Sequence, residues 1–362
     1  MKVLWSPKTR LHDGAGAVWV GLPDPGDEVP ERVDRILAAL SGPGFEHVEA
    51  EPHDDAALRA VHDPAFLRHL ESIHDDWLRS GIPELVGQDR VVPYAFPTQA
   101  MLDGLPGRVP PAIQARVGSY AYDTMTPVGP GTWAAARAAA DCALSAVDAV
   151  VTGDPGDVGA SGDAGAAAAY ALCRPPGHHA TTAAYGGSCY LNNAAIAAQA
   201  LRDAGHARVA IVDVDAHHGN GTASIFYDRG DVFYGSVHID PGAGWFPHFV
   251  GYADETGSGP GTGASLNVPL PPETGDGPWL DAVATLADAA RRHGSTGLVV
   301  SLGVDAAADD PNSPLRITLD GYRCAGEILH GIGLPTVIVQ EGGYQLDSLG
   351  GLVRAFVDSF AG

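Results

Sequence analysis

The sequence predicts a three-layer α/β fold, a parallel sheet with helices on both faces. Three features of its 362 residues carry that prediction. Short β-rich runs end in Gly, Asp or Ser, or just before them. Helical patterns fall between these runs. The strands are apolar continuously, as in Val209-Ala210-Ile211-Val212. A strand covered on both faces has no polar side, and that marks a parallel sheet lined by helices.

The elements follow in order. Residues 2–6 open as a strand, and 31–40, 54–61 and 64–80 carry helical periodicity. Residues 81–130 break the rhythm with eight prolines (Pro83, Pro93, Pro97, Pro106, Pro110, Pro111, Pro127 and Pro130), the composition of an irregular surface insertion. Residues 133–151 are helical. Residues 152–168 are nearly all Gly, Ala, Asp, Ser and Pro and read as a flexible loop. Strands are expected at 169–173, 208–214, 232–238, 297–302 and 335–340, with helices at 193–204, 277–293 and 318–329. No internal repeat appears, so residues 1–362 read as one domain with one insertion and one loop.

A hydrophobic content of 45% excludes a disordered chain. The 21 Lys and Arg against 44 Asp and Glu give a formal charge of −23, which disfavours nucleic acid and favours cations, including cationic substrates. Cys142, Cys173, Cys189 and Cys324 form no CxxC pair, so neither a zinc ribbon nor a dithiol redox motif is available. Cys173 and Cys189 lie in apolar segments as reduced core residues, which points to a reducing, cytoplasmic compartment. The apolar run at the N-terminus is too short for a signal peptide. Arg137, Asp141 and Asp148 interrupt the Ala-rich stretch 132–151, so a membrane span is not expected.

The chemistry concentrates where apolar strands end. In Ile211-Val212-Asp213-Val214-Asp215-Ala216-His217-His218-Gly219-Asn220-Gly221 a strand runs straight into acids and imidazoles, at the strand end where α/β folds bind ligands. The pleat is expected to put Asp213, Asp215 and His217 on one face, with Asp215 and His217 reaching one metal and Asp213 one step deeper. Helix capping alone would not need two Asp and two His in six residues. Asp305 closes another apolar strand and completes an open Asp/His/Asp site for a divalent ion. Arg174-Pro175-Pro176-Gly177-His178-His179-Ala180 presents two adjacent imidazoles, a surface accident or a pair of proton handlers for amide hydrolysis. Gln340-Glu341-Gly342-Gly343-Tyr344 presents a phenol on a Gly-Gly hinge. Alone it suggests packing; opposite a metal it suggests an oxyanion donor.

Taken in order, these motifs with Gly187-Ser188-Cys189-Tyr190-Leu191-Asn192-Asn193 resemble the zinc-dependent histone deacetylase superfamily. Phe246-Pro247-His248-Phe249-Val250-Gly251-Tyr252-Ala253-Asp254-Glu255-Thr256-Gly257, the insertion, and Val29-Pro30-Glu31-Arg32 are most similar to its bacterial acetylpolyamine amidohydrolase branch. The resemblance covers nearly the whole chain. It implies an arginase/deacetylase-like fold with a central, mainly parallel eight-stranded sheet. It implies one Zn²⁺ held by Asp215, His217 and Asp305, with His179 as general base and His178 as its electrostatic or acid partner. Asp213 orients His178, Asn220 orients His179, and Tyr344 stabilises the oxyanion. It also implies a structural K⁺ at Asp213, Asp215, His217 and Ser236, and a homodimer formed through the insertion.

Departures from the pattern bear on substrate. Gly187 and Phe246 line the substrate tunnel in the resemblance, but Ser188 stands where an aromatic wall is usual. Asn312 stands where one polyamine-specific branch has a gatekeeper Glu, leaving Asp309, Asp310 or an acid of the insertion such as Asp123 to take its place. The expected activity is removal of an acetyl group from a primary amine on a small cationic molecule such as an acetylpolyamine. The alternatives are a protein acyl-lysine deacetylase, a deacetylase of a biosynthetic intermediate, a binuclear manganese ureohydrolase, or a non-catalytic ligand-binding relative.

Overall fold

The computed structural model describes residues 1–82, 87–153 and 167–361. Ten strands occur among them: β1 Lys2–Trp5, β2 Ala17–Trp19, β3 Leu22–Asp24, β4 Glu46–Glu49, β5 Ala168–Ala171, β6 Val209–Asp213, β7 Val232–Ile239, β8 Ser265–Leu270, β9 Gly297–Leu302 and β10 Thr336–Gln340. Strands β2 and β3 make a separate antiparallel hairpin. The other eight form one sheet in the order β4-β1-β5-β10-β9-β6-β7-β8. Every pairing in it is parallel.

The helices are α1 Glu31–Ala39, α2 Ala56–Arg59, α3 Pro64–Arg79, α4 Gln99–Leu102, α5 Ile113–Arg116, α6 Thr132–Val151, α7 Asn193–Asp203, α8 Asn220–Phe226, α9 Asp276–His293, α10 Leu319–His330 and α11 Leu346–Ala361. They divide over the two faces as the pleat dictates. Val209 and Ile211 of β6 pack with α3, α6 and α7. Ala210 and Val212 pack with α1, α9, α10 and α11 on the other side. Among the described residues no helix is long and apolar enough to cross a membrane.

The six apolar runs all become strands of this sheet, within a residue or two of their expected bounds. The two strands that sequence reasoning missed are its edges. Strand β4 reads Glu-His-Val-Glu and is exposed at three of its four positions, and β8 contains Pro269, which an edge strand tolerates because one side needs no N–H donor. Helix α11 was also missed. Gly350 and Gly351 weaken its propensity, yet Gly350 is needed: a Cβ there would lie 2.6 Å from the carbonyl oxygen of Arg35 on α1. The expected flexible loop falls mostly on residues 154–166, outside the described residues.

A buried ion group ties the N-terminal segment to the strand ends. The Glu28 carboxylate meets Arg32 at 2.9 Å and Arg174 at 2.8 Å, with all three side chains 8% exposed or less. Removing one member of such a group leaves a buried charge uncompensated, at a cost of about 3–5 kcal/mol. Arg32 also donates to the carbonyls of Gly343 (2.7 Å) and Glu341 (2.5 Å), so the group reaches the segment that carries Tyr344.

Candidate active site

Four central strands, β5, β6, β9 and β10, release their chains at one end of the sheet, and the predicted chemistry gathers there. Strand β6 stops at Asp213, so Asp215 and His217 lie in the following loop and the pleat does not align them. Side-chain capping does. Asp213 Oδ1 accepts from the Asp215 N–H at 3.2 Å, and Asp215 Oδ1 from the His217 N–H at 2.9 Å. Asp305, just beyond β9, accepts the Ala216 N–H at 2.8 Å, and Asp215 Oδ2 accepts the Gly342 N–H at 2.8 Å.

These bonds place one ligand atom each of Asp215, His217 and Asp305 within 4.8 Å of one another. Crowding enforces the arrangement: a Cβ on Gly303 would lie 2.0 Å from Asp215 Oδ2. Burial opposes a charge on His217, but Asp215 and Asp305 outweigh it and push its pKa well above the ordinary value. Two buried carboxylates and an imidazole therefore demand a positive charge at this point. The donor set suits a borderline divalent cation.

His178 and His179 stand beside this group, their ring centres 4.0 Å apart. Glu341 holds their backbone by accepting the N–H groups of Gly177 (2.7 Å) and His178 (3.1 Å). His178 Nδ1 lies 3.0 Å from Asp213 Oδ2, which also accepts from the Tyr234 hydroxyl at 3.1 Å. His179 Nδ1 lies 2.7 Å from the amide oxygen of Asn220. With that oxygen facing it, neutral His179 carries its proton on Nδ1 and leaves Nε2 bare.

Their environments separate the two imidazoles. Burial disfavours a charge on His178, yet Asp215 and Asp213 raise its pKa to about 10. Burial, reinforced by the neighbouring His178 and His217, pushes His179 well below the ordinary value. Adjacent groups driven apart in this way supply an acid and a base at one pH.

Phe246 packs edge-to-face on His179, with centroids 4.7 Å apart. Gly187 approaches the same imidazole: its φ is +57° and a Cβ would lie 2.4 Å from the ring, so only glycine fits. Ser188, half-buried, also has positive φ, and its N–H is held by Thr126 Oγ1 at 2.9 Å. Asp123 spends both carboxylate oxygens on backbone N–H groups, Gly187 at 2.6 Å and Met125 at 2.9 Å, and so acts as a clamp on this turn. Asn312 is turned to Asp27, its amide donating at 3.0 Å. Asp309 is exposed and Asp310 buried. Ser236 lies opposite Asp213 in the β6–β7 register, its hydroxyl 2.7 Å from His238 Nδ1.

Tyr344 follows the Gly-Gly hinge, with the Arg32 guanidinium 5.0 Å from its ring centre. Burial holds its phenol protonated, well above the usual range. Sequence reasoning missed Tyr122, whose hydroxyl donates to the His179 carbonyl at 2.8 Å and whose ring lies parallel to Phe246. Nothing local distinguishes it from other residues of the insertion. Glu341 could have been found, since it ends an apolar strand as Asp305 does.

Fold and site together define a hydrolase of amide bonds, and the chain belongs to the histone deacetylase family: the family model described as "Histone deacetylase domain" matches residues 27–360. Among its relatives is acetylpolyamine amidohydrolase of Burkholderia pseudomallei (strain 1710b), 42% identical over 333 residues, 92% of this chain and 91% of that one. Acetylpolyamine amidohydrolase of Mycoplana ramosa is 37% identical over the full length of both chains. The crystal structure of the acetylpolyamine aminohydrolase from Burkholderia pseudomallei superimposes with a TM-score of 0.88 at 40% identity, covering 99% of this chain and 98% of that one.

The pKa of His178 is raised, so its proton is retained through neutral pH and lost as pH rises towards about 10. kcat/KM for deacetylation is accordingly expected to fall on the alkaline side. In Asp213→Asn the fall should move to lower pH by about one unit or more, because a carboxylate that raises the His178 pKa is gone. An alkaline limb that stays in place would exclude His178 as the titrating donor.

Proposed function

We propose that the protein is a zinc-dependent amidohydrolase that removes an acetyl group from a primary amine of a small cationic molecule, an acetylpolyamine or a close analogue. The observation that carries this is the opposed pair His178 and His179 beside the Asp215, His217 and Asp305 group, His178 Nε2 lying 3.7 Å from Asp215. Those three side chains would hold Zn²⁺, which when bound polarises an amide carbonyl and acidifies water. His179 Nε2 takes the proton of the attacking water, its other nitrogen fixed by Asn220. The Tyr344 phenol donates to the carbonyl oxygen as negative charge builds there. His178, kept protonated by Asp213, stabilises that charge and supplies a proton to the departing amine.

The substrate class is supported by the names of the relatives and by the charge of −23, which draws cations. A structural K⁺ at Asp213, Asp215, His217 and Ser236 fits the register that sets Ser236 opposite Asp213. A cytoplasmic location fits four free cysteines, three of them buried. A homodimer through residues 81–130 fits the apolar side chains exposed there, among them Tyr94 and Leu105, 75% and 71% exposed. Sedimentation should give the mass of two chains; a single-chain mass at micromolar concentration would remove the dimer.

Two further measurements test the activity. With zinc-loaded protein, kcat/KM for monoacetylated diamines should exceed that for acetyl-lysine peptides and acetylated amino sugars by about tenfold or more, a difference of about 1.4 kcal/mol in transition-state binding. Faster turnover of peptides would replace the polyamine reading with a protein deacetylase. Tyr344→Phe should lower kcat by about 10²–10³ with one divalent ion per chain retained. Full turnover in that variant would take the phenol out of the reaction.

A further inference from the structure

We infer that Asp310 is a positioning residue for the Tyr344 phenol, an inference that rests on the oxyanion role proposed for Tyr344. The hinge before Tyr344 is permissive, since Gly343 has φ +123°. Its carbonyls are secured: Arg32 takes those of Gly343 and Glu341, and the Gln340 amide (2.9 Å) and the Val304 N–H (3.1 Å) take that of Gly342. The N–H of Tyr344 itself is held by Asp310 Oδ2 at 2.7 Å.

The same carboxylate receives two more backbone donors, Gln345 N–H at 3.2 Å and Asn312 N–H at 3.0 Å. Asp310 is 7% exposed, so these bonds are not shared with bulk water. Helix α11 starts one residue beyond Gln345, and Asp310 thus serves its entry much as an N-terminal cap would, supplied from another loop. An ionised carboxylate suits three converging N–H groups because it offers acceptors only. An amide of the same shape would turn an NH₂ towards at least one donor.

Asp310 lies five residues beyond Asp305 on one short loop. The Ala306 carbonyl accepts from Ile317 N–H at 3.1 Å, and Asp310 N–H donates to the Ala307 carbonyl at 3.1 Å. One pinned loop therefore carries both a metal-ligating carboxylate and the clamp on the phenol, and it sets the spacing between them. Misplacing a catalytic group by about 1 Å can cost on the order of 10²-fold in rate.

The test is a double-mutant cycle of Asp310→Asn and Asp310→Ala, each in the native and the Tyr344→Phe background, using the zinc-loaded protein. In the native background we expect kcat to drop about tenfold or more, with KM and bound zinc unchanged. In Tyr344→Phe neither change should lower kcat further, because no phenol remains to be placed. Equal losses in both backgrounds, native turnover in Asp310→Asn, or loss of zinc would overturn the positioning role. If Asp310→Ala does not fold, the isosteric Asp310→Asn carries the cycle. Should Tyr344→Phe alone retain full turnover, the oxyanion reading fails; an impaired Tyr344→Phe with additive losses rejects only the role of Asp310.

Discussion

Taking Asp215 and Asp305 out of water side by side costs several kcal/mol per carboxylate, a penalty the fold must offset before any chemistry is possible. The compensation is visible bond by bond. Backbone N–H groups of Ala216, His217 and Gly342 each donate to one of the two side chains. His178 brings an imidazole that the carboxylates hold positive, and His217 brings a ring nitrogen 3.0 Å from Asp305. Because donors and carboxylates come from the loops after β6, β9 and β10, charge neutralisation at this point also fixes how the ends of those strands sit against one another. Metal affinity and local architecture are two faces of one electrostatic demand.

The same demand organises the histidine pair. Positive charge gathered around the carboxylates lies next to His179 and helps keep it neutral, while His178, nearer to Asp213, retains its proton. Two identical side chains in sequence thus differ in proton affinity through what surrounds each ring. The end of the Pro-rich insertion takes part as well. Tyr122, Asp123 and Thr126 bond to His179, Gly187 and Ser188, so this excursion from the sheet forms one side of the reacting site.

What the sequence made legible, and what it hid, follows from burial and distance along the chain. Central strands such as β6 and β9 are covered on both faces and announce themselves as unbroken apolar runs. The edges β4 and β8 are half covered, and Glu46, Glu49 and Pro269 erase that signal. The candidate metal-ligating residues and the His pair were readable because each sits within eight residues of the end of β5, β6 or β9. Their supports were not. Tyr122 reaches a partner 57 positions away, Asp310 one 34 positions away, and Glu341 one 164 positions away. No local pattern encodes such pairings. Asp123 shows the converse: its residue type suggested a substrate contact, while its geometry makes it a backbone clamp.

Strand β10 is the last strand in the chain, yet it lies at the middle of the sheet, between β5 and β9. Among the described residues it alone joins, by strand pairing, the block β4-β1-β5 to the block β9-β6-β7-β8. During synthesis those two blocks have no shared hydrogen-bonded edge until residues 336–340 emerge, and the hinge bearing Tyr344 comes directly after them. Sheet closure and delivery of the phenol are therefore one late event. A nascent chain cut short before that strand would hold all three candidate metal-ligating side chains but lack the sheet hydrogen bonds that join their strands to β5, the strand that leads to the histidine pair.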